Sequence, residues 1–345
     1  MSSSVTPVRI AVLGLSDFLR RYAFPGLATA TGCEFVGVAG RNPEKLRHSL
    51  GEAFPGIIYS SYDAALEDPN VEAVYITLPN ATHTEWTLKA VAAGKHVLCE
   101  KPLSPDPADV DSIEIAARTA NLIVTEGLMY RFHPQWTALV DLLRSDAIGQ
   151  VRTLVSTYAY IDPSLSGPRF DPALGGGALK MVGCYAIDIS VMAFKDDLSA
   201  VTALSRAAGN TGVDATTSAV LEFGNGHAVL TASTESFDNQ YVRIIGESGM
   251  IEVPLPINAT ATDTTSITVT GNNATPDQLR FEPADQFKLE FEHFARAVRG
   301  LVKVAIPLKE SRQYAVALNA VARSAQSQGT RIRLDPNDFH GNPTS

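Results

Sequence analysis

The first half of the chain alternates short, continuous apolar runs with longer stretches that carry apolar side chains at helical spacing. The runs lie at residues 8–13, 34–39, 56–59, 72–76, 96–99 and 122–125. A continuous apolar run is typical of a strand that a parallel sheet buries on both faces. Signals for helix starts between the runs are Pro43, Ser61, Thr82 and Asp106. The pattern predicts a doubly wound α/β domain with right-handed crossovers.

The second half changes to β-rich segments in which small or polar residues alternate with apolar ones. Alternation predicts a sheet with one covered face and one face left for a partner, so we expect a homodimer or homotetramer that packs sheet on sheet. Residues 260–270 are Thr-rich and weakly patterned, and the tail from Asp335 looks frayed. The predicted strands lie at 151–160, 200–204, 217–223, 227–234, 241–245 and 250–253, and the helices at 287–298 and 308–325.

The length of 345 residues favours two domains, because it exceeds what one small core organises. We place the boundary where the pattern changes, with a first domain at residues 1–127 and a second at 128–345. Whether the last long helix returns to the first domain is left open.

Composition narrows the class of protein. The chain is 45% hydrophobic and 19% charged, as in ordinary globular proteins, and its net charge of −9 argues against nucleic acid or an anionic membrane as a partner. The N-terminus lacks a secretory signal, and no run of about 18 apolar residues predicts a membrane span. Three widely separated cysteines, Cys33, Cys99 and Cys184, predict reduced thiols in a cytoplasmic protein and no metal site.

The tripeptide Glu100-Lys101-Pro102 directly follows the fifth apolar run. A lysine at the carboxyl end of a buried parallel strand lies where open α/β sheets bind ligands. An ordinary lysine in a surface loop is the alternative, and the tripeptide alone does not separate the two.

The turn after the first strand lies where a dinucleotide fingerprint is expected. Gly14 supplies its first glycine, whereas Ser16 and Leu19 replace the other two. The fingerprint serves to bring backbone amides close to a pyrophosphate at a helix N-terminus, which a small serine still permits. We therefore expect cofactor contacts from Gly14, Ser16, Asp17, Phe18 and Arg20, with an ordinary strand-to-helix turn as the alternative.

The end of the second strand chooses between the two nicotinamide cofactors. NAD enzymes usually carry an acidic residue there for the ribose diol, whereas an arginine suits a 2′-phosphate. Here Gly40 and Arg41 follow the strand, and no acid precedes Glu44. A guanidinium can pair bidentately with a phosphate. We therefore favour NADP over NAD, bound by Gly40, Arg41 and Lys45.

Five motifs come in an order and spacing that resemble the Gfo/Idh/MocA oxidoreductases. They are Pro-Asn-Ala-Thr-His at 79–83, Ala-Gly-Lys-His-Val at 93–97, Glu-Lys-Pro at 100–102, Met-Tyr-Arg-Phe-His-Pro at 129–134 and the glycine-rich stretch 171–179. The resemblance implies an N-terminal Rossmann domain and a C-terminal α/β domain with an open, mostly antiparallel sheet. It also implies hydride transfer between a nicotinamide and a carbinol carbon of a sugar, polyol or related ring. The motifs are most similar to the branch holding glucose–fructose oxidoreductase, dimeric dihydrodiol dehydrogenase and sugar 3-ketoreductases.

The resemblance also implies roles for individual residues. The residues expected to line the cofactor are Leu78, Pro79, Asn80, His83, Glu100, Lys101 and Arg131. For His83 the alternative is a histidine that makes only local hydrogen bonds. The residues expected near the substrate are Tyr130, Arg169, Met181 and Asp188, and for Arg131, Arg169 and Asp188 a structural salt bridge or an exposed position is the alternative.

Lys101 and Tyr185 are the expected catalytic pair. Reduction of a ketone needs a proton donor within hydrogen-bonding reach of the oxygen, and a lysine ammonium beside a phenol favours the tyrosinate form and stabilises a developing alkoxide. In the family resembled, an Asp usually stands four residues before the Tyr or His, and here that position is Met181. The alternative for Tyr185 is a core tyrosine on an apolar helix.

The departure at Met181 keeps two other hypotheses open. One is a nucleotide-binding regulator or a low-activity paralogue of the family. The other is a glycoside hydrolase that oxidises its substrate transiently and retains its cofactor through turnover.

Overall fold

The computed structural model describes residues 6–16, 19–50, 54–194, 196–271 and 275–340. The chain forms two compact units. The first comprises Met1–Ser104, Ala108–Met129 and Asp285–Ser311, and the second comprises Pro105–Pro107, Tyr130–Ala284 and Arg312–Ser345.

The described part of the first unit contains a six-stranded parallel sheet in the order β3-β2-β1-β4-β5-β6. Its strands are β1 (Val8–Leu13), β2 (Cys33–Ala39), β3 (Ile57–Tyr59), β4 (Ala73–Ile76), β5 (His96–Glu100) and β6 (Val124–Gly127). All four residues of the central strand β4 are buried, as expected for a strand covered on both faces. The order of strands confirms the predicted doubly wound fold, and it brings the carboxyl ends of β1, β4 and β5 together at one edge.

The helices of this unit begin largely where the sequence signals lie. They are α1 (Phe24–Thr29), α2 (Pro43–Leu50), α3 (Tyr62–Glu67), α4 (His83–Ala92) and α5 (Pro107–Ala120). The hydroxyl of Ser61 accepts a hydrogen bond from the Ala64 amide and caps α3. The prediction of a side-chain cap at Thr82 is wrong, because its hydroxyl donates backward to the Pro79 carbonyl at 2.8 Å.

Helix α8 (Gln286–Val298) belongs to the first compact unit although it follows most of the second in the chain. A Cβ on Gly26 would lie 2.7 Å from the Lys288 amide nitrogen, so α1 and α8 approach too closely for any larger residue there. Phe291 meets the Tyr75 ring edge-on at 5.0 Å between centroids. These contacts fix α8 against the sheet near β4.

The described part of the second unit contains a nine-stranded sheet in the order β14-β13-β12-β11-β7-β10-β9-β8-β15. Strands β7 and β10 run parallel and the other pairs are antiparallel, which confirms the expected open, mostly antiparallel sheet. The strands are β7 (Val151–Ile161), β8 (Leu198–Ala207), β9 (Asp214–Phe223), β10 (Gly226–Ser233), β11 (Glu235–Gly246), β12 (Gly249–Val253), β13 (Thr265–Gly271), β14 (Asp277–Phe281) and β15 (Ile332–Arg333).

Two parts of the second unit differ from the sequence-based expectation. The weakly patterned Thr-rich stretch contributes β13, because threonine suits a half-exposed strand even where few apolar residues mark one. Part of the tail that looked frayed forms α10 (Pro336–His340), with Phe339 buried. The other helices of this unit are α6 (Pro134–Arg144), α7 (Cys184–Ala193) and, from Arg312 onward, α9 (Leu308–Gln326).

The helical stretch Pro172–Ala193 is long and apolar enough to cross a membrane by length and composition alone. However, 78% of its most apolar window is buried inside the protein. Its apolar character is therefore explained by its position in the core of the second unit.

Candidate functional site

Lys101 directly follows β5, as the sequence predicts, and is only 9% exposed. Its peptide bond to Pro102 is cis. The preceding residue, Glu100, is also buried and accepts a hydrogen bond from the Tyr75 hydroxyl. Burial raises the pKa of Glu100, and the charge of Lys101 and the Tyr75 hydrogen bond act against that rise. A lysine and a carboxyl group thus stand together at the ligand-binding edge of the sheet.

His83 is completely buried and makes two local contacts. Its Nδ1 lies 2.8 Å from the Pro102 carbonyl oxygen and its Nε2 lies 2.8 Å from the Leu78 carbonyl oxygen. Burial lowers the pKa of this imidazole, although the two carbonyls act in the opposite direction. His83 therefore ties the end of β4 to the segment after Lys101, and the expectation that its side chain contacts the cofactor finds no support in this geometry.

Leu78, Pro79 and Asn80 lie between β4 and α4, at the edge of the sheet where they were expected. Leu78 is 8% exposed, and Asn80 opens a single 3₁₀ turn, Asn80–Thr82. These residues stand beside the end of β5 because β4 and β5 pair in register, with Ile76 opposite Cys99. Their position fits a cofactor-lining role, which stays a prediction.

The turn after β1 has the backbone of a close-approach site. Gly14 has a φ of +104°, and a Cβ there would lie 2.9 Å from the Thr77 hydroxyl oxygen. The Gly14 amide donates to the Ala39 carbonyl at 2.8 Å, which holds the turn next to the end of β2. Ser16 and Arg20 are exposed in this turn. Asp17 and Phe18, which were also expected to contact the cofactor, lie outside the described residues.

At the end of β2, Arg41 is exposed and Lys45 is exposed on the first turn of α2. The structure gives Gly40 a packing role as well. A Cβ on Gly40 would lie 2.7 Å from Leu46 Cδ1, so this glycine lets α2 pack against the strand end. Arg41 has a neighbour that the sequence analysis missed, the phenol of Tyr62 at the start of α3.

Tyr185 is the second residue of α7 and is 4% exposed. Its ring lies between two other tyrosines of the same unit. Tyr130 meets it edge-on, with 5.8 Å between centroids and 81° between planes, and Tyr158 lies at 5.8 Å and 31°. The Tyr185 ring is therefore fixed by aromatic packing within its unit.

Tyr130, Arg131 and Asp188 form one buried group. The guanidinium of Arg131 donates to both carboxylate oxygens of Asp188, and the Tyr130 hydroxyl donates to the same carboxylate. Tyr130 is completely buried, and the Asp188 side chain is 3% exposed. The structural salt bridge that was the alternative for Arg131 and Asp188 is present. It engages the guanidinium and the carboxylate, through which these residues were expected to bind cofactor and substrate.

The other residues expected near the substrate are less constrained. Met181 is half-buried in a single π-helical turn, Leu179–Gly183, that leads into α7. Arg169 is exposed, and its Nη1 lies 3.4 Å from the Asp162 carboxylate.

A further buried acid, Glu290 on α8, was not singled out in the sequence. It is 1% exposed, and neither of its carboxylate oxygens has a hydrogen-bond partner within the described part of the chain. Burial and then the charge of Glu100 raise its pKa well above the ordinary value. Burial thus favours the protonated, neutral form of Glu290. Glu290 lies in the amphipathic helix at residues 286–298, and no residue pattern in that helix indicates that Glu100 lies nearby.

Comparison with known families and proteins gives a consistent result. The family model GFO_IDH_MocA, described as an oxidoreductase family with an NAD-binding Rossmann fold, matches residues 8–128. The model of the GFO/IDH/MocA C-terminal domain matches residues 136–252. Together the two models cover more than half of the chain.

Individual relatives match over nearly their whole length. An uncharacterised oxidoreductase of Rhizobium meliloti is 35% identical, over 92% of this chain and 97% of the relative. The D-xylose 1-dehydrogenase (NADP⁺) 2 of Haloferax volcanii is 31% identical, over 94% of this chain and 99% of the relative. A crystal structure of a 3-ketoreductase from Actinomadura kijaniata with NADP and TDP-benzene superposes with a TM-score of 0.86 at 28% identity, covering 92% of this chain and 98% of the ketoreductase.

Proposed function

We propose that this protein is an NADP-dependent dehydrogenase or reductase, because the chain belongs to the Gfo/Idh/MocA oxidoreductase family. Its reaction transfers hydride between the cofactor and a carbinol or ketone carbon of a sugar, polyol or related ring. The observation that carries this proposal is the match along almost the full chain to an NADP-dependent xylose dehydrogenase and to a sugar ketoreductase that binds NADP.

The residues at the edge of the first sheet fit this cofactor. Gly14 brings the backbone of the first turn close to the ends of β2 and β4. The exposed guanidinium of Arg41 stands where a 2′-phosphate would bind, and the sequence offers no acid for a ribose diol before Glu44. NADP, when bound, supplies the hydride acceptor or donor. Gly14, Ser16, Arg41, Lys45, Leu78, Pro79 and Asn80 are the described residues that we propose hold it.

Lys101 and Tyr185 are proposed to handle the proton. Each is almost completely buried, which limits competition from water. The phenol donates its proton to the ketone oxygen during reduction and takes it back during oxidation, and the lysine ammonium stabilises the developing negative charge. The roles that we propose for Tyr130, Arg131 and Asp188 are indirect, since their polar groups already bind one another.

Met181 bears on the substrate rather than on the class of reaction. An acid at this position would anchor substrate hydroxyls and would raise the pKa of a nearby lysine. A thioether does neither, so we propose a narrower substrate range for this chain than for relatives that keep the acid.

The test is a cofactor titration followed by a substrate screen with the purified protein. NADP should bind more tightly than NAD, and NADPH absorbance should fall with a ketosugar or rise with an aldose such as D-xylose. Tight NADP binding without hydride exchange across the panel would instead favour the regulator. Glycoside cleavage with no net change in NADPH would favour the hydrolase.

The open face of the second sheet is proposed to form a homo-oligomer. Val220 and Val229 lie opposite each other on β9 and β10 and are 37% and 41% exposed, and Leu204 on the same face is 62% exposed. Their neighbours Leu221 and Leu230, on the other face, are fully buried. Sedimentation should give a dimer or tetramer that Val229→Arg dissociates. A monomeric wild-type protein would contradict this.

We further propose a cytoplasmic location. The three cysteines are free thiols, and Cys99 and Cys184 are buried, as suits a reducing compartment. Fractionation of cells producing the untagged protein tests the proposal.

A further inference from the structure

Two adjacent strands place Arg41 and Tyr62 at the same edge of the first sheet. Strands β2 and β3 are parallel and in register, with Ala39 opposite Tyr59. Arg41 follows β2 by two residues and Tyr62 follows β3 by three. The chain therefore brings a guanidinium and a phenol to one point beyond the strand ends, although 20 residues separate them in sequence.

The charge of Arg41 and its backbone amide both act on the Tyr62 phenol. Partial burial raises the pKa of Tyr62, and these two contributions act in the opposite direction without reversing the rise. The phenol is consequently protonated at neutral pH. A protonated phenol can donate its hydrogen to an anion that binds beside the guanidinium.

The Tyr62 ring is held in place by Trp86 on α4. The two rings meet edge-on, with 4.8 Å between centroids and 73° between planes. Lys89 Nζ in turn lies 4.1 Å from the centre of the Trp86 ring and 2.7 Å from the Glu85 carboxylate. The phenol is thus preorganised by packing, so that binding an anion would cost little side-chain entropy.

The charges around the phenol suit an anion. Arg41 is exposed, and its charge acts on the phenol. The neighbouring acids are Asp63, on the same helix as Tyr62, and Glu85, and both act on Lys89, whose pKa they raise. Arg41 and Lys89 therefore balance the formal charges of the two acids, so the acids do not outweigh the cation beside the phenol.

We propose that Tyr62 is a second determinant of NADP specificity, whose hydroxyl donates a hydrogen bond to the 2′-phosphate beside Arg41. This inference rests on the proposed function, because it assigns a contact within the NADP site proposed above. It adds helix α3 to that site, whereas the sequence argument for NADP considers only the residues that follow the second strand.

The experiment compares 2′,5′-ADP with 5′-AMP, which differ only in the 2′-phosphate, by calorimetric titration of the whole chain. Tyr62→Phe keeps the ring against Trp86 and removes only the hydroxyl. Because a hydrogen bond to a charged group is lost, affinity for 2′,5′-ADP should fall about tenfold. Affinity for 5′-AMP should stay unchanged, whereas a merely structural role would weaken both ligands together.

Two further variants complete the test. Tyr59→Phe is the matched control, because the Tyr59 hydroxyl already bonds to the Asp68 carboxylate at 2.7 Å, and it should leave the ratio of the two affinities as in the wild type. Arg41→Ala should lower that ratio and so locate the phosphate. An unchanged ratio in Tyr62→Phe, or a wild-type protein that binds both ligands equally, overturns the inference. Failure of the proposed function is recognised separately, as absence of hydride transfer with NADPH in the wild type.

Discussion

The carboxylate of Asp188 on α7 accepts two hydrogen bonds from the guanidinium of Arg131, at 2.9 Å from Nε and 2.5 Å from Nη2. The pair is almost completely shielded from solvent. The Tyr130 hydroxyl joins the same carboxylate, and its ring packs against Tyr185. This connects the chain segment before α6 to the helix that carries the proposed catalytic phenol.

Replacing Asp188 by Asn should destabilise the protein strongly. The substitution leaves the Arg131 charge buried without its counter-ion, which costs about 3 kcal/mol of unfolding free energy. Urea denaturation measures the change. The control is Asp162→Asn, which breaks the contact with the exposed Arg169 and should cost less than about 1 kcal/mol. Equal losses of unfolding free energy in the two variants would show that the buried ion pair contributes no more to stability than the exposed one.

Glu290→Gln should stabilise the protein in a pH-dependent way. Because the pKa of Glu290 is raised in the folded protein, the wild type loses stability as pH rises above the ordinary glutamate value toward the raised one. Glutamine is always neutral, so the variant escapes this loss. Its advantage in urea denaturation should be small at pH 5 and larger at pH 8.

The neighbouring Glu292→Gln is the control for this effect. The Glu292 carboxylate is partly exposed and accepts a hydrogen bond from the Thr31 amide at 2.9 Å. Its replacement should not stabilise the protein at any pH. An advantage of Glu290→Gln that is the same at pH 5 and pH 8 would contradict a raised pKa.

Lys101→Ala and Tyr185→Phe should each lower kcat about a hundredfold, the scale of general acid–base catalysis. If the two groups act on one proton transfer, the double variant should be little slower than the slower single variant. Steady-state kinetics with the best substrate of the screen measures this, with Tyr160→Phe as a control on a tyrosine of β7. If the reductions in kcat of the two single variants multiply in the double variant, Lys101 and Tyr185 act independently and do not share one proton transfer.

Gly14→Ala should weaken NADP binding, because the new methyl group would press on Thr77 in a backbone conformation that disfavours alanine. The matched control is Gly94→Ala, which has a similar left-handed φ of +76° but open space around the added carbon. The control should lose about 1 kcal/mol of stability from strain and bind NADP normally. Titration with NADP distinguishes the two variants. Equal affinities would show that the turn after β1 accommodates the added methyl group without loss of NADP binding.

The site was predictable from sequence where it follows from strand ends. Lys101 and Arg41 each lie two residues after the end of an apolar run, and a doubly wound sheet brings such positions to one edge. The two hydrogen-bond partners of His83 were not predictable, because these carbonyls are 5 and 19 residues away and neither is marked by residue type. The packing role of Gly40 was also missed, since the atom that needs the space belongs to Leu46.

The sequence by itself determined the two kinds of sheet, the alternation of strands and helices in the first unit and the family, because hydrophobic periodicity and local motifs are properties of neighbouring residues. Only the tertiary structure decided that Arg131 and Asp188 neutralise each other, that Tyr62 stands beside Arg41 and that Glu290 is a buried acid near Glu100. These are contacts between residues far apart in the chain. They depend on the register of strands and the packing of helices, which the periodicity of any single segment leaves undetermined.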